Sequence, residues 1–182
     1  QIAKLATEKR EIEFEDAHFA LSQTLPFTWR RKHIPCNHTI FNECAVYNNL
    51  EERFAQFLDN ASDVLRFAAL AESYTRFRVD YLNPHGAIKL YYPDFVAVQK
   101  YGNGIVNWIL ETKGREDENV EHKDAAMAAW CANITAQTSK QWQYLKVSQV
   151  LFDKFKGKSL AELIRSMNDP SIPEVSLFPK AD

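Results

Sequence analysis

The chain has 182 residues, 46% of them hydrophobic and 13% aromatic, enough apolar surface for one core of ordinary domain size. Its formal net charge of −2 excludes binding of nucleic acid through overall basicity, so any such contact must come from local patches. No apolar run nears the roughly 20 residues of a membrane helix, and the opening QIAKLATEKREIEFED lacks the basic-then-apolar layout of a secretory signal.

These features predict a soluble, cytoplasmic protein with no membrane partner. The start at Gln1 rather than Met predicts a piece of a longer polypeptide. Three cysteines, Cys36, Cys44 and Cys131, form no C-x-x-C pair and leave one over in any disulfide scheme, which fits a reducing compartment.

Residues 1–47 read as an N-terminal arm or linker packing on the core: a charged start of helical character, then LPFTWRRKHIPCNHTIF, whose prolines break any long element. The run Arg30-Arg31-Lys32-His33 and the lysines from Lys140 through Lys158 are the local basic patches. His33, Cys36, His38 and Cys44 lie close together, but their spacing matches no standard zinc finger. The core is expected at 48–150. In NNLEERFAQFLDN an Asn N-cap precedes Leu50, Phe54, Phe57 and Leu58 at helical spacing. The helix register puts Glu51 on the flank of the apolar stripe and Glu52 toward solvent. Residues 61–73 read as a second helix capped by Ser62 or Asp63.

From Tyr74 to Leu82 the period changes to two, which predicts a half-buried strand, and Asn83-Pro84-His85-Gly86 is a turn. AIKLYYPDFVAVQK is a long strand interrupted by Pro93, which cannot donate to a ladder. Gly102-Asn103-Gly104 turns it back into strand 105–113, so Asp94 and Glu111 fall on adjacent antiparallel strands. A helix over 120–137 and a strand over 141–147 follow. The stretch 151–182 is a C-terminal extension with a capping box, Ser159-x-x-Glu162, opening a short helix. The order predicts an α/β fold with a central mixed sheet of about four strands flanked by helices.

Within ETK, Glu111 and Lys113 share one strand face and Thr112 points opposite. Carboxylates gathered at the end of apolar strands are costly unless a cation compensates them. Asp94 and Glu111 supply hard oxygen ligands suited to Mg²⁺, with Mn²⁺ as substitute. Lys113 is placed to orient or deprotonate a water, or to stabilise charge developing on phosphorus, and Glu51 to hold a second ion or a water. An exposed E-x-K ion pair is the ordinary alternative. A glycosidase carboxylate pair explains neither the lysine nor the strand order.

This arrangement resembles the PD-(D/E)xK nuclease fold. The wording YNNLEERFAQFLD, FRVDYLNPHGAIKLYYPDFVAV, NWILETKG and KDAAMAAWC resembles the C-terminal endonuclease region of type III restriction enzyme Res subunits, from about Phe27 to about Phe152. The resemblance implies a restriction-endonuclease-like core that hydrolyses double-stranded DNA, with Asp94, Glu111 and Lys113 as the metal-dependent cleavage site. It further implies Glu51 as the helical glutamate and the Thr112 carbonyl as a metal ligand. It also implies a bacterial or archaeal source, an ATP-dependent helicase-like motor in the same polypeptide, and a methyltransferase (Mod) subunit. No G-x-x-x-x-G-K-[ST] loop occurs in the chain, so ATP would serve only the motor. Lys123 and Trp130 sit where the family often keeps a lysine and a tryptophan. Trp130 falls on the apolar helix face, and Lys123 is a candidate phosphate contact. A catalytically inactive module on the same scaffold, binding DNA or another subunit, is the alternative function.

Overall fold

The computed structural model describes residues 20–114 and 120–168. The charged start, the loop 115–119 and the tail beyond 168 lie outside the described residues. After a single 3₁₀ turn at Leu21–Gln23, two short antiparallel strands, β1 (His33–Ile34) and β2 (Cys44–Ala45), lead into helix α1 (Asn49–Asn60). The side chain of Asn48 caps α1 as its sequence predicts, accepting from the N–H groups of Leu50 and Glu51.

Residues 61–73 do not form a helix: Val64–Ala69 is strand β3, and only Glu72–Thr75 is helical, as the one-turn α2. Its Ala-rich sequence favours a helix locally, but pairing with a neighbouring strand and burial of Phe67, Ala68 and Ala69 override that preference. A register shift between Val64 and Arg66 leaves Leu65 and Arg66 exposed, which hides the period of two from the sequence.

The predicted strand from Tyr74 narrows to β4 (Val79–Leu82), which pairs with β5 (Ile88–Tyr91) through the expected turn, where Gly86 has φ +76°. Pro93 does more than interrupt one strand. The chain leaves the β4–β5 hairpin there and enters a second sheet as β6 (Phe95–Tyr101). β6 turns at Gly102, with φ +56°, into β7 (Gly104–Lys113). A crossover through α3 (Val120–Thr138) then brings β8 (Gln141–Ser148) parallel to β7. The sheet is therefore mixed and four-stranded, in the order β3-β6-β7-β8. The strand count agrees with expectation, but β3 takes the place expected for residues 74–82. Helices α4 (Gln149–Lys154), which the sequence pattern did not reveal, and α5 (Leu160–Met167) complete the described chain, with the Ser159–Glu162 capping box formed.

Two apolar layers sandwich the sheet. On one face α1, α5, Ile34, Cys44 and Val46 pack against Phe67, Phe95, Trp108, Leu110 and Leu145. On the other, α3 and the β4–β5 hairpin pack against Ile109 and Tyr144. Trp130 belongs to this second layer, half-buried and edge-on to Phe77 and Trp142. No helix among the described residues is long and apolar enough to cross a membrane.

Candidate active site

The register Phe95↔Leu110 makes Asp94 and Glu111 the next facing pair beyond the β6–β7 ladder. Side chains of β7 alternate between the two layers: Trp108 and Leu110 face α1, whereas Ile109 faces α3. Glu111 and Lys113 continue the second set and Thr112 the first. Asp94 ends up where the two faces meet. Its Oδ2 accepts the Thr112 N–H at 2.7 Å and the Thr112 hydroxyl at 2.6 Å, and its backbone carbonyl accepts Leu70 N–H at 2.7 Å. Thr112 thus positions Asp94, a role that strand alternation alone did not suggest.

Burial pushes the Asp94 carboxyl up, opposed by the two Thr112 bonds and the Lys113 charge. Glu111 is pushed up to about 8, first by burial and then by the Asp94 charge, with Tyr91, Lys113 and Lys123 pulling the other way. Its Oε2 is buried and has no hydrogen-bond partner. An unsatisfied carboxylate oxygen costs about 1–3 kcal/mol or more, which a cation or a water would relieve. A cavity of about 10 Å³ lies against Glu111 and Lys113, room for roughly one water-sized occupant.

Glu51 approaches Asp94 from the α1 side. Burial and the Asp94 charge raise its carboxyl to about 7. Both of its oxygens are also engaged in the start of α1: Tyr47 N–H donates to Oε2 at 2.7 Å and Asn48 Nδ2 donates to Oε1 at 2.5 Å. Glu51 is therefore a capping residue as well as a neighbour of Asp94, three positions after the N-cap as such residues are. Glu52, which the helix register puts toward solvent, is instead half-buried and pairs with Lys32.

Four residues of this neighbourhood escaped sequence reasoning. The Tyr91 hydroxyl bonds Glu111 and lies 3.3 Å from that of Tyr144. Tyr144 donates to Asp124 at 2.8 Å, and Lys146 Nζ donates to Asp124 at 2.7 Å. Lys146 is thus not part of an exposed basic patch; its side chain is 12% exposed. The register Glu111↔Lys146 was the available signal, legible only once β8 is known to run parallel to β7. Lys123, on α3, lines the same small cavity.

The four zinc candidates do not converge. His33 pairs with Glu43 and His38 with Asp59, while Cys36 and Cys44 interact with each other, their thiols pushed up by burial. Among the described residues no three His, Cys, Asp or Glu side chains group as a metal cage. Two carboxylates suit an ion that keeps several waters, and their hard oxygens suit Mg²⁺ rather than a soft metal. The orphaned Glu111 oxygen beside Asp94 fits that role. No protein family, curated protein or solved structure matches the chain.

Proposed function

We propose that the chain is a metal-dependent endodeoxyribonuclease domain with a restriction-endonuclease-like core of the PD-(D/E)xK kind. We further propose that it serves as the cutting module of a type III restriction Res subunit. The observation that carries this reading is the buried, unpartnered Oε2 of Glu111 beside Asp94 and under the charge of Lys113.

Asp94 and Glu111 would hold Mg²⁺, or Mn²⁺ in its place, with the Thr112 carbonyl as a further hard ligand. A bound ion of this kind lowers the pKa of a coordinated water and offsets charge on phosphoryl oxygens. Thr112 aims the Asp94 carboxyl through two bonds, which together with the Lys113 charge oppose part of the upward push of burial. Lys113 lies close enough to lower both carboxyls, and its ammonium is placed to orient the attacking water or to donate to a phosphate oxygen. Glu51, raised to about 7, is poised to accept or return a proton near neutral pH. Double-stranded DNA is the substrate, and the motor and methyltransferase subunit are the partners of this reading. ATP belongs to the motor.

The test pairs cutting with metal binding. Supercoiled plasmid is incubated with wild type, Asp94→Asn, Glu111→Gln and Lys113→Ala in Mg²⁺ or Mn²⁺, and Mn²⁺ binding is followed by electron paramagnetic resonance. Wild type binds Mn²⁺ and nicks DNA; the two carboxylate variants lose both, and Lys113→Ala loses nicking alone. A wild type that binds no Mn²⁺, or a Glu111→Gln variant that cuts at the wild-type rate, overturns the reading.

A further inference from the structure

A cleft of about 990 Å³ opens beside Glu51, at the upper end of the roughly 300–1,000 Å³ usual for ligand sites. Its walls come from the arm at 25–31, from Tyr47 just before α1, and from α2 with Arg76 behind it. The rings are ordered with respect to one another. Phe27 and Tyr74 stack with centroids 4.1 Å apart and planes 9° apart, and Trp29 stands edge-on to Tyr47 at 5.0 Å. Tyr47 is 40% and Tyr74 37% exposed, so aromatic surface faces solvent rather than core.

Charge is concentrated there too. Among the described lining residues, Arg30, Arg31 and Arg76 stand against one acid, Glu72, on a chain whose net charge is −2. The Arg31 guanidinium lies 4.9 Å from the centroid of the Tyr47 ring. Arg76 has φ 58°, a left-handed conformation that a non-glycine residue adopts at a cost and that recurs at functional sites.

The cleft is also fastened to the candidate catalytic groups. Tyr47 N–H donates to Glu51 at 2.7 Å, and the Arg31 charge acts on the same carboxylate. Ala71 is the N-cap of α2, and the preceding residue Leu70 donates its N–H to the carbonyl of Asp94 at 2.7 Å. The cleft walls are therefore hydrogen-bonded to the segments that carry both acids.

Partly exposed aromatic rings beside guanidinium groups match a nucleobase with its neighbouring phosphate. In a closed duplex the base faces are already stacked on one another and are not available to these rings. We propose that the cleft takes an unpaired nucleotide of the strand being cut, its base on the Phe27–Trp29–Tyr74 platform and its phosphate on Arg30 and Arg31. The domain then engages DNA at a single-stranded or locally opened position. That the strand is one being cut rests on the nuclease reading. A free nucleoside monophosphate carries the same chemistry and is separated by experiment.

The experiment measures binding of labelled oligo-dT and of a blunt duplex of equal length to the full chain, by fluorescence anisotropy in EDTA, with thymidine monophosphate as competitor. Oligo-dT binds about tenfold or more tightly than duplex, and Tyr74→Ala weakens oligo-dT alone by about tenfold. Arg30→Gln, at an exposed residue, lowers the salt dependence of oligo-dT binding by about one charge. Equal affinity for oligo-dT and duplex, or unchanged binding in both variants, overturns the inference. Competition by thymidine monophosphate at concentrations equal to those of oligo-dT overturns the strand assignment in favour of a free nucleotide. Plasmid cutting is scored separately. Metal-dependent cutting without oligo-dT preference removes this inference and leaves the nuclease reading; oligo-dT preference without metal binding or cutting removes the nuclease reading and leaves the cleft its ligand.

Discussion

Asp94 takes both of its side-chain bonds on Oδ2 from one residue, Thr112, whose N–H and hydroxyl lie 2.7 and 2.6 Å away. Bonds to an ionised acceptor are shorter and stronger than neutral ones, and here they offset part of the burial that raises the Asp94 carboxyl. Thr112→Val keeps the side-chain shape and the N–H bond but removes the hydroxyl. Cutting should fall about tenfold or more, matching the roughly 1.5–3 kcal/mol of a hydrogen bond to a charged group. The acid limb of the pH–rate profile should move to higher pH, and Thr112→Ser should restore both. An unchanged profile in Thr112→Val would show that the hydroxyl does not govern Asp94.

The two glutamates make stability depend on pH in a fixed direction. Glu51 is raised to about 7 and Glu111 to about 8, so the folded state holds protons that the unfolded chain releases near pH 4.3, roughly the value of an unperturbed glutamate. Their contribution to stability is fully present below that unfolded pKa and is lost as pH rises through about 7 and 8. The metal-free protein should therefore melt at a lower temperature in mildly alkaline buffer than in mildly acidic buffer. Mg²⁺ should stabilise most at alkaline pH, where the carboxylates are charged. Differential scanning fluorimetry of wild type and Glu111→Gln checks this: the variant should show a flatter pH dependence and little response to Mg²⁺. Identical pH dependence in the two proteins would sink it.

What the sequence made legible were local relationships. Asn48 caps α1, Gly102-Asn103 turns β6 into β7, and the turn length alone sets Asp94 opposite Glu111. Relationships between distant segments were not legible. Tyr91 and Tyr144 are 53 residues apart and meet only because β8 lies parallel to β7 while the β4–β5 hairpin folds over it. The strand at 64–69 was missed because its alanines carry helix propensity and its register shift breaks the alternation. The helical register of Glu51 places it beside the apolar stripe, and its position three residues after Asn48 carries the signal of its capping role.

Asp124 joins Tyr144 and Lys146 behind Glu111, with the Asp124 and Lys146 side chains 18% and 12% exposed. Removing one member takes a hydrogen bond from the others, and a buried polar group that loses a bond keeps its desolvation cost. Asp124→Leu should destabilise by about 1–3 kcal/mol in urea unfolding. Adding Lys146→Met should recover part of the loss, with a coupling of about 1 kcal/mol or more in the double-mutant cycle. Strict additivity would mean that the pair contributes nothing beyond its separate contacts.

Asp63 holds the opposite end of the molecule from Asp94. It accepts the N–H groups of Leu160 at 2.7 Å and Ala161 at 2.9 Å, capping α5 from almost a hundred residues away in sequence, as well as Gln99 Nε2 at 2.7 Å. Gln99 is buried and accepts Trp108 Nε1 at 2.8 Å, so one carboxylate fastens a helix to the middle of the sheet. Asp63→Ala would leave two helix-end donors and a buried amide short of a partner. The expected cost is roughly 2–4 kcal/mol, combining a lost cap with an unsatisfied buried group. Asp63 N-terminally flanks β3 and Leu70, which holds Asp94, flanks its other end. The six residues between them span about 20 Å at the usual strand rise. The urea midpoint should fall with an unchanged slope, and both Mn²⁺ affinity and cutting per folded molecule should stay at wild-type values. A selective loss of metal binding in a folded Asp63→Ala protein would mean that the two ends of β3 are coupled, contrary to a cap that acts only on α5.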